Sequence, residues 1–234
     1  MNAAGEARLE EAYAHCERLA REGDRDRWLG ALFAPAAARP RLHALSAFFL
    51  ETGRVKARAR EPLAGEARLA WWLEAIEGKR EAEAAGHPVA AALIDAVGAG
   101  GLPLAAFAAY LEARRDELVA APPRGREAIA ARGRALVAPQ FALAARALDE
   151  AGAEEAALRA GEAAALAEAS GEEATALSRA AAADEALMGR PTVAPAFAPL
   201  ATLRLDLQRR ARGEEGPASA WRRQWAIWRW ARGR

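Results

Sequence analysis

The chain has almost no cysteine, almost no lysine and few aromatic residues. One cysteine, Cys16, stands in 234 residues. That excludes an internal disulfide and a cysteine-based zinc site. On an amphipathic segment it reads as a small buried apolar residue, not a nucleophile. Only Lys56 and Lys79 are lysines, so nearly all positive charge is arginine, a pattern that reads as genomic base composition. The three histidines, His15, His43 and His87, follow no metal-ligand spacing, and no metal site is expected from them. β-Branched residues are scarce. There is no convincing strand, no glycine-rich phosphate loop after one, and no GxSxG nucleophile motif. No charge-free apolar run reaches about 18 residues, so nothing is expected to span a membrane. The stretch MNAAGEARLEEAYAHCERLA has no cationic region followed by an apolar core. No secretory signal is expected there, and a cytoplasmic protein follows.

What is present favours helices. The composition is 53% hydrophobic and 28% charged, dominated by alanine, leucine, glutamate and arginine. Those residues have high helix propensity, so the expectation is an all-α protein with one domain over residues 1–234. Helices are read at 5–21, with Leu9, Tyr13, Cys16 and Ala20 on one side, and after the potential cap Asp24, with Trp28 to Phe33. A third opens at Pro40, carries Leu42, Leu45, Phe48 and Phe49 inward, and is expected to run to the Glu61-Pro62 break. A fourth opens at Pro62 with Ala67, Ala70, Trp71 and Glu74 on one stripe.

His87-Pro88 and Pro103 each start another helix, the latter turning Leu104, Phe107, Leu111 and Leu118 inward. Residues 126–150 are helical, with Pro139 expected to kink or divide them. Segments 153–169 and 171–187 are nearly all alanine, and are expected to be the least firmly packed because alanine buries little area. The three prolines of 189–199 suggest a loop, and helices at about 197–212 and 218–232 close the chain. No repeat is visible, so one bundle of roughly ten helices is the expectation.

Three strings carry a resemblance: LFAPAAARPRLHALSAFF (32–49), EPLAGEARLAWWLEAIEG (61–78) and GHPVAAAL (86–93). In this order and spacing they resemble the squalene/phytoene synthase family. They are most similar to its shortened branch, which includes the mitochondrial complex I assembly factor and its bacterial relatives. The resemblance implies an abbreviated helical bundle of the isoprenoid-synthase type. It also implies a prenyl-diphosphate chemistry that needs two aspartate-rich DxxxD motifs holding magnesium, which neutralises the departing diphosphate.

Those motifs are missing. After ALSAFF stands LETGRVKARAR, where Glu51 is the single acid before Glu61, among Arg54, Lys56, Arg58 and Arg60. At the second position, Glu168 and Glu172 are interrupted by Gly171 and read more simply as a solvated helix end. Glu112 and Asp116 are also four apart, and pairing with Arg115 or capping accounts for them. The expectation is a pseudoenzyme with no cofactor, acting by binding. Its pocket candidates are Glu51, Arg54, Arg58, Glu66, Arg68, Trp71, Trp72, Glu112, Arg115 and Asp116. Arginines in such a pocket suit an anion such as an isoprenoid diphosphate or lipid. Trp71 and Trp72 point about 100° apart on a helix, so both can be packing, or one can border the cavity.

By resemblance, the client is respiratory complex I. The alternative is a prenyltransferase with degenerate motifs, in which magnesium would sit among Glu51, Glu112, Asp116 and Glu172. A third reading is a scaffold with a filled core.

The tail differs from the rest. Residues 204–234 carry a net charge of +6 while the whole chain is +1. Trp221, Trp225 and Trp228 form one stripe edged by Arg222 and Arg229. That suits a membrane interface, which the resemblance implies would be the inner membrane, or an acidic partner helix. The other reading docks the tryptophans on the bundle and solvates the arginines. Nucleic acid is not expected, since the bulk of the protein is acidic and no reading motif appears.

Overall fold

The computed structural model describes residues 3–59, 61–148 and 151–232. Fourteen α-helices and no strand occur among them. This is the all-α bundle the composition implied. Its helices are α1 (Ala3–Gly23), α2 (Arg25–Ala31), α3 (Arg39–Gly53), α4 (Val55–Arg58), α5 (Pro62–Ile76), α6 (Glu81–Ala85) and α7 (Pro88–Gly100). They continue as α8 (Leu104–Val119), α9 (Arg126–Leu136), α10 (Ala138–Arg146), α11 (Glu154–Ala167), α12 (Glu173–Ala186), α13 (Pro199–Ala211) and α14 (Ala220–Arg232). The count exceeds ten because short helices such as α4 and α6 punctuate the longer ones.

Local chemistry explains most boundaries. Asp24 caps α2, its side chain accepting from the Arg27 amide. Proline occupies an early position of α3, α5, α7, α10 and α13, where its missing N–H costs nothing. Pro139 divides the helix there into α9 and α10.

Around α3 the core is aromatic. Phe48 lies 5.2 Å from Trp72, 5.6 Å from Phe107 and 5.7 Å from Tyr110 by ring centroid. Such tilted and edge-on pairs add about 0.5–1.5 kcal/mol each beyond their buried area. Ala12 and Cys16 face this core from α1, and Ala20 is buried too. Burial, and then the Glu51 charge, push the Cys16 thiol up to about 12, so it stays protonated and unreactive.

Four readings need correction. Helix α3 stops at Gly53 instead of continuing to Glu61. The Thr52 hydroxyl donates back to the Phe48 carbonyl at 2.8 Å, and low-propensity glycine follows, so the helix ends and restarts as α4. Leu104 lies in the first turn of α8 and is exposed; Tyr110 takes an inward place instead. The proline-rich stretch is not an open loop, because residues 191–197 form a 3-10 segment buried from Val193 to Phe197. Finally, the alanine helices are not loosely held as a pair. Helix α11 is buried at Ala156, Ala157, Ala160, Gly161, Ala163, Ala165, Leu166 and Ala167. A Cβ on Gly133 of α9 would stand 2.4 Å from the Gly161 carbonyl oxygen, so the two backbones touch. Small side chains lower the area per residue but allow this close approach.

Candidate functional site

The end of α3, helix α4, one face of α5 and the N-cap of α7 line a cleft of about 660 Å³. Glu51, Val55, Arg58, Ala59, Ala64, Arg68, Trp72 and His87 line it. Each is there for a local reason. The break after Gly53 swings Val55 and Arg58 across the α5 start, and His87 is fixed as the N-cap of α7. Its Nδ1 accepts from the Ala90 amide at 3.3 Å, so in the neutral ring the proton sits on Nε2. Nε2 faces Glu51 Oε2 at 3.5 Å. Trp72, buried and edge-on to Phe48, forms an apolar wall.

Trp71 stands outside the lining. Its ring lies 5.3 Å from His87, and its indole donates to Glu83 Oε2 at 2.9 Å. That hydrogen bond, with Arg80, holds the Glu83 carboxyl below the usual range. Arg58 and Arg68 are exposed and have no carboxylate within ion-pair distance among the described residues. The cleft therefore offers two free guanidiniums, one carboxylate and an aromatic wall, a set suited to an anion with an apolar portion.

The structure brings together Glu51, Arg58, Arg68 and Trp72 from the sequence candidates, with Trp71 just behind. The others lie elsewhere. Arg54 is exposed beside Gly23 at the end of α1. Glu66 is half-buried on α5 without lining the cleft. Glu112, Arg115 and Asp116 share the exposed face of α8, so Arg115 does not join Arg54 in one cavity. No ion pair ties Arg115 to either acid among the described residues. Glu172 pairs with Arg126 at 2.7 Å, away from Glu51. Arg60 and Arg234 lie outside the described residues.

Sequence reasoning missed a second group, inside the bundle. Thr52 Oγ1 lies 3.0 Å from the Tyr110 hydroxyl, which accepts from Arg114 Nε at 2.9 Å. Arg114 and Arg132 both donate to Glu117, at 2.6 and 2.7 Å. Burial pushes the Glu117 carboxyl up, but the two guanidiniums outweigh it and hold it below its ordinary value. Arg114 and Arg132 also border a cleft of about 390 Å³ whose acids are Asp24, Asp26, Glu168 and Asp206. Arg27 pairs with Asp24 at 2.6 Å, and Arg223 of α14 clamps Asp26 and Asp206 together. The three-residue spacing of Arg114 and Glu117 was visible in sequence; the reach from Arg223 to Asp26 was not.

This donor set does not fit magnesium. Magnesium bound with a diphosphate is held by one or two free carboxylates, with phosphate oxygens and water filling its other positions. Here guanidiniums engage the interior carboxylates. Among the described residues, no three Asp, Glu, His or Cys side chains form a group able to hold a metal ion.

Comparison with known proteins gives the lineage. The family model for squalene/phytoene synthase matches residues 20–167. A bifunctional protein CrtB/UppS of Streptomyces coelicolor is 33% identical over 115 residues, which is 49% of this chain and 20% of that protein. The chain thus aligns with only a fifth of that relative's length. A dehydrosqualene synthase solved with a ligand superposes with a TM-score of 0.73 at 14% identity, covering 96% of this chain and 97% of the other. Squalene synthase HpnC from Alicyclobacillus acidocaldarius gives 0.64 at 16% identity, covering 88% and 95%. At such identities the likeness speaks for the fold alone, but the matched family model spans more than half of the chain. This chain belongs to the squalene/phytoene synthase family.

Proposed function

We propose that the protein is a non-catalytic member of its family and acts by binding, as an assembly or maturation factor. The observation that carries this reading is the charge balance of the interior. Carboxylates that could have held divalent ions are matched to Arg27, Arg114, Arg132 and Arg223. Without a divalent ion, a departing diphosphate lacks the metal that would neutralise its developing charge and activate it as a leaving group. The cleft beside Trp72 would hold an anion, such as an isoprenoid or lipid phosphate or an acidic client segment, between Arg58 and Arg68. The similarity of residues 32–93 to the complex I assembly branch supplies the client of this proposal, respiratory complex I.

A second reading, prenyl transfer with magnesium, draws support from the synthase names of the fold neighbours. It needs Glu51, Glu112, Asp116 and Glu172 to act together. Glu51 lines the cleft, Glu112 and Asp116 are exposed on α8, and Glu172 is held by Arg126. The binding reading is therefore the stronger. Incubation with farnesyl or geranylgeranyl diphosphate and magnesium separates the two. The expected result is no prenyl product above a protein-free blank; a condensed product overturns the binding reading. Co-purification from the native host should bring down complex I subunits, and their absence would remove that client.

A further inference from the structure

Helix α14 is attached by one face only. Arg223 reaches Asp26 and Asp206, Ile227 is fully buried against Leu29 and Ala198, and the Trp230 indole donates to the Ala194 carbonyl at 3.2 Å. The opposite face carries Trp221, Trp225 and Trp228, which are 66%, 53% and 42% exposed. Docking and exposure thus coexist on one helix.

Three features describe what would cover this face. An arginine lies over each exposed ring: Arg222 at 5.5 Å from Trp221, Arg229 at 5.3 Å from Trp225 and Arg232 at 5.0 Å from Trp228. No acid occurs between Ala220 and Arg232, and Asp26 and Asp206 neutralise Arg223 alone, so the outer face is purely cationic. Helices α2 and α14 run side by side, Asp26 against Arg223 and Leu29 against Ile227. That runs the exposed Leu32 and Phe33 toward the C-terminal end of α14.

The geometry points to an anionic lipid bilayer as the occupant: α14 lies in the headgroup layer with Trp221, Trp225 and Trp228 inserted and Arg222, Arg229 and Arg232 on lipid phosphates. Indole is suited to this depth, having an apolar body and a polar N–H. Arginine stems can lie along the apolar boundary while the charged heads reach phosphate. The helix is held rigidly at its inner face, so insertion needs no unfolding of the bundle. It is also too short to span a membrane, and no other helix among the described residues is long and apolar enough to do so. This inference does not depend on how the cleft beside Trp72 is used.

The test uses the full chain and vesicles of mixed phosphatidylglycerol and phosphatidylcholine. The wild type should sediment with them and shift its tryptophan emission to the blue. Pure phosphatidylcholine should bind at least about tenfold more weakly. A triple Trp221→Ser, Trp225→Ser, Trp228→Ser variant should lose binding by about tenfold or more. A triple Arg222→Gln, Arg229→Gln, Arg232→Gln variant should lose about a hundredfold, near fivefold per arginine. These side chains are exposed, so both variants should keep the wild-type circular dichroism and melting midpoint. Equal vesicle binding by the tryptophan variant overturns the proposal. So does a wild type that ignores anionic vesicles but binds an acidic helical peptide through this face.

Discussion

The bundle packs its two halves in opposite ways. Between α3 and α8 the interior is filled by large rings, with Phe48 in contact with Trp72, Phe107 and Tyr110. Where α9 meets α11 the backbones themselves close the gap, Gly133 and Gly161 meeting where no side chain fits. The first half gains stability from area per residue; the second gains it from the number of atoms that close approach brings into contact. A substitution should therefore change sign of tolerance from one half to the other.

The largest effect is expected in the aromatic half. Trp72→Ala leaves a cavity and should cost about 3–5 kcal/mol in thermal or urea unfolding. The alanine half should resist the opposite change. Gly161→Val puts a side chain where a single Cβ already lies 2.6 Å from the Ala138 amide nitrogen. Its cost should reach about 3 kcal/mol or more, whereas Ala160→Gly on the same helix should cost only about 1 kcal/mol. Tolerance of Gly161→Val at wild-type stability would break the comparison.

Two smaller effects sharpen it through pH. Glu117 joins the halves by accepting from Arg114 of α8 and Arg132 of α9. Its folded pKa is depressed, so its contribution is complete above the ordinary glutamate value of about 4.3 and fades as pH falls through the lower folded value. Glu117→Gln should lower stability at neutral pH and flatten the acid limb of a melting-versus-pH curve. His43 on α3 is buried with Nε2 unpartnered, and burial lowers its pKa. The unfolded chain then binds the proton more readily, so stability falls as pH drops below about 6.5. His43→Phe should flatten the curve between about pH 5 and 7, the smallest of these changes.

The legible parts of the fold were those governed by local rules. Proline positions, the Asp24 cap and the apolar spacing of Leu42, Leu45, Phe48 and Phe49 all act within one or two turns. The misread parts depended on distant partners. Nothing within 153–169 says that Gly161 will meet Gly133, so alanine looked weak where it is closely packed. The α3 break at Thr52-Gly53 was visible as residue types, but its strength depends on Tyr110, 58 residues away, holding the Thr52 hydroxyl. The site divided in the same way. Glu51, Arg58, Arg68 and Trp72 converge because α3 to α5 are sequence neighbours, while Arg115 was assigned by charge alone and lies on another face.

We propose that the cleft beside Trp72 recognises anions through Arg58 and Arg68 and needs no divalent ion. Titration calorimetry with inorganic diphosphate, in EDTA and then in magnesium, tests it most directly. Binding that persists in EDTA and disappears in an Arg58→Ala, Arg68→Ala variant is the predicted result. Binding that requires magnesium and survives loss of both arginines would contradict it.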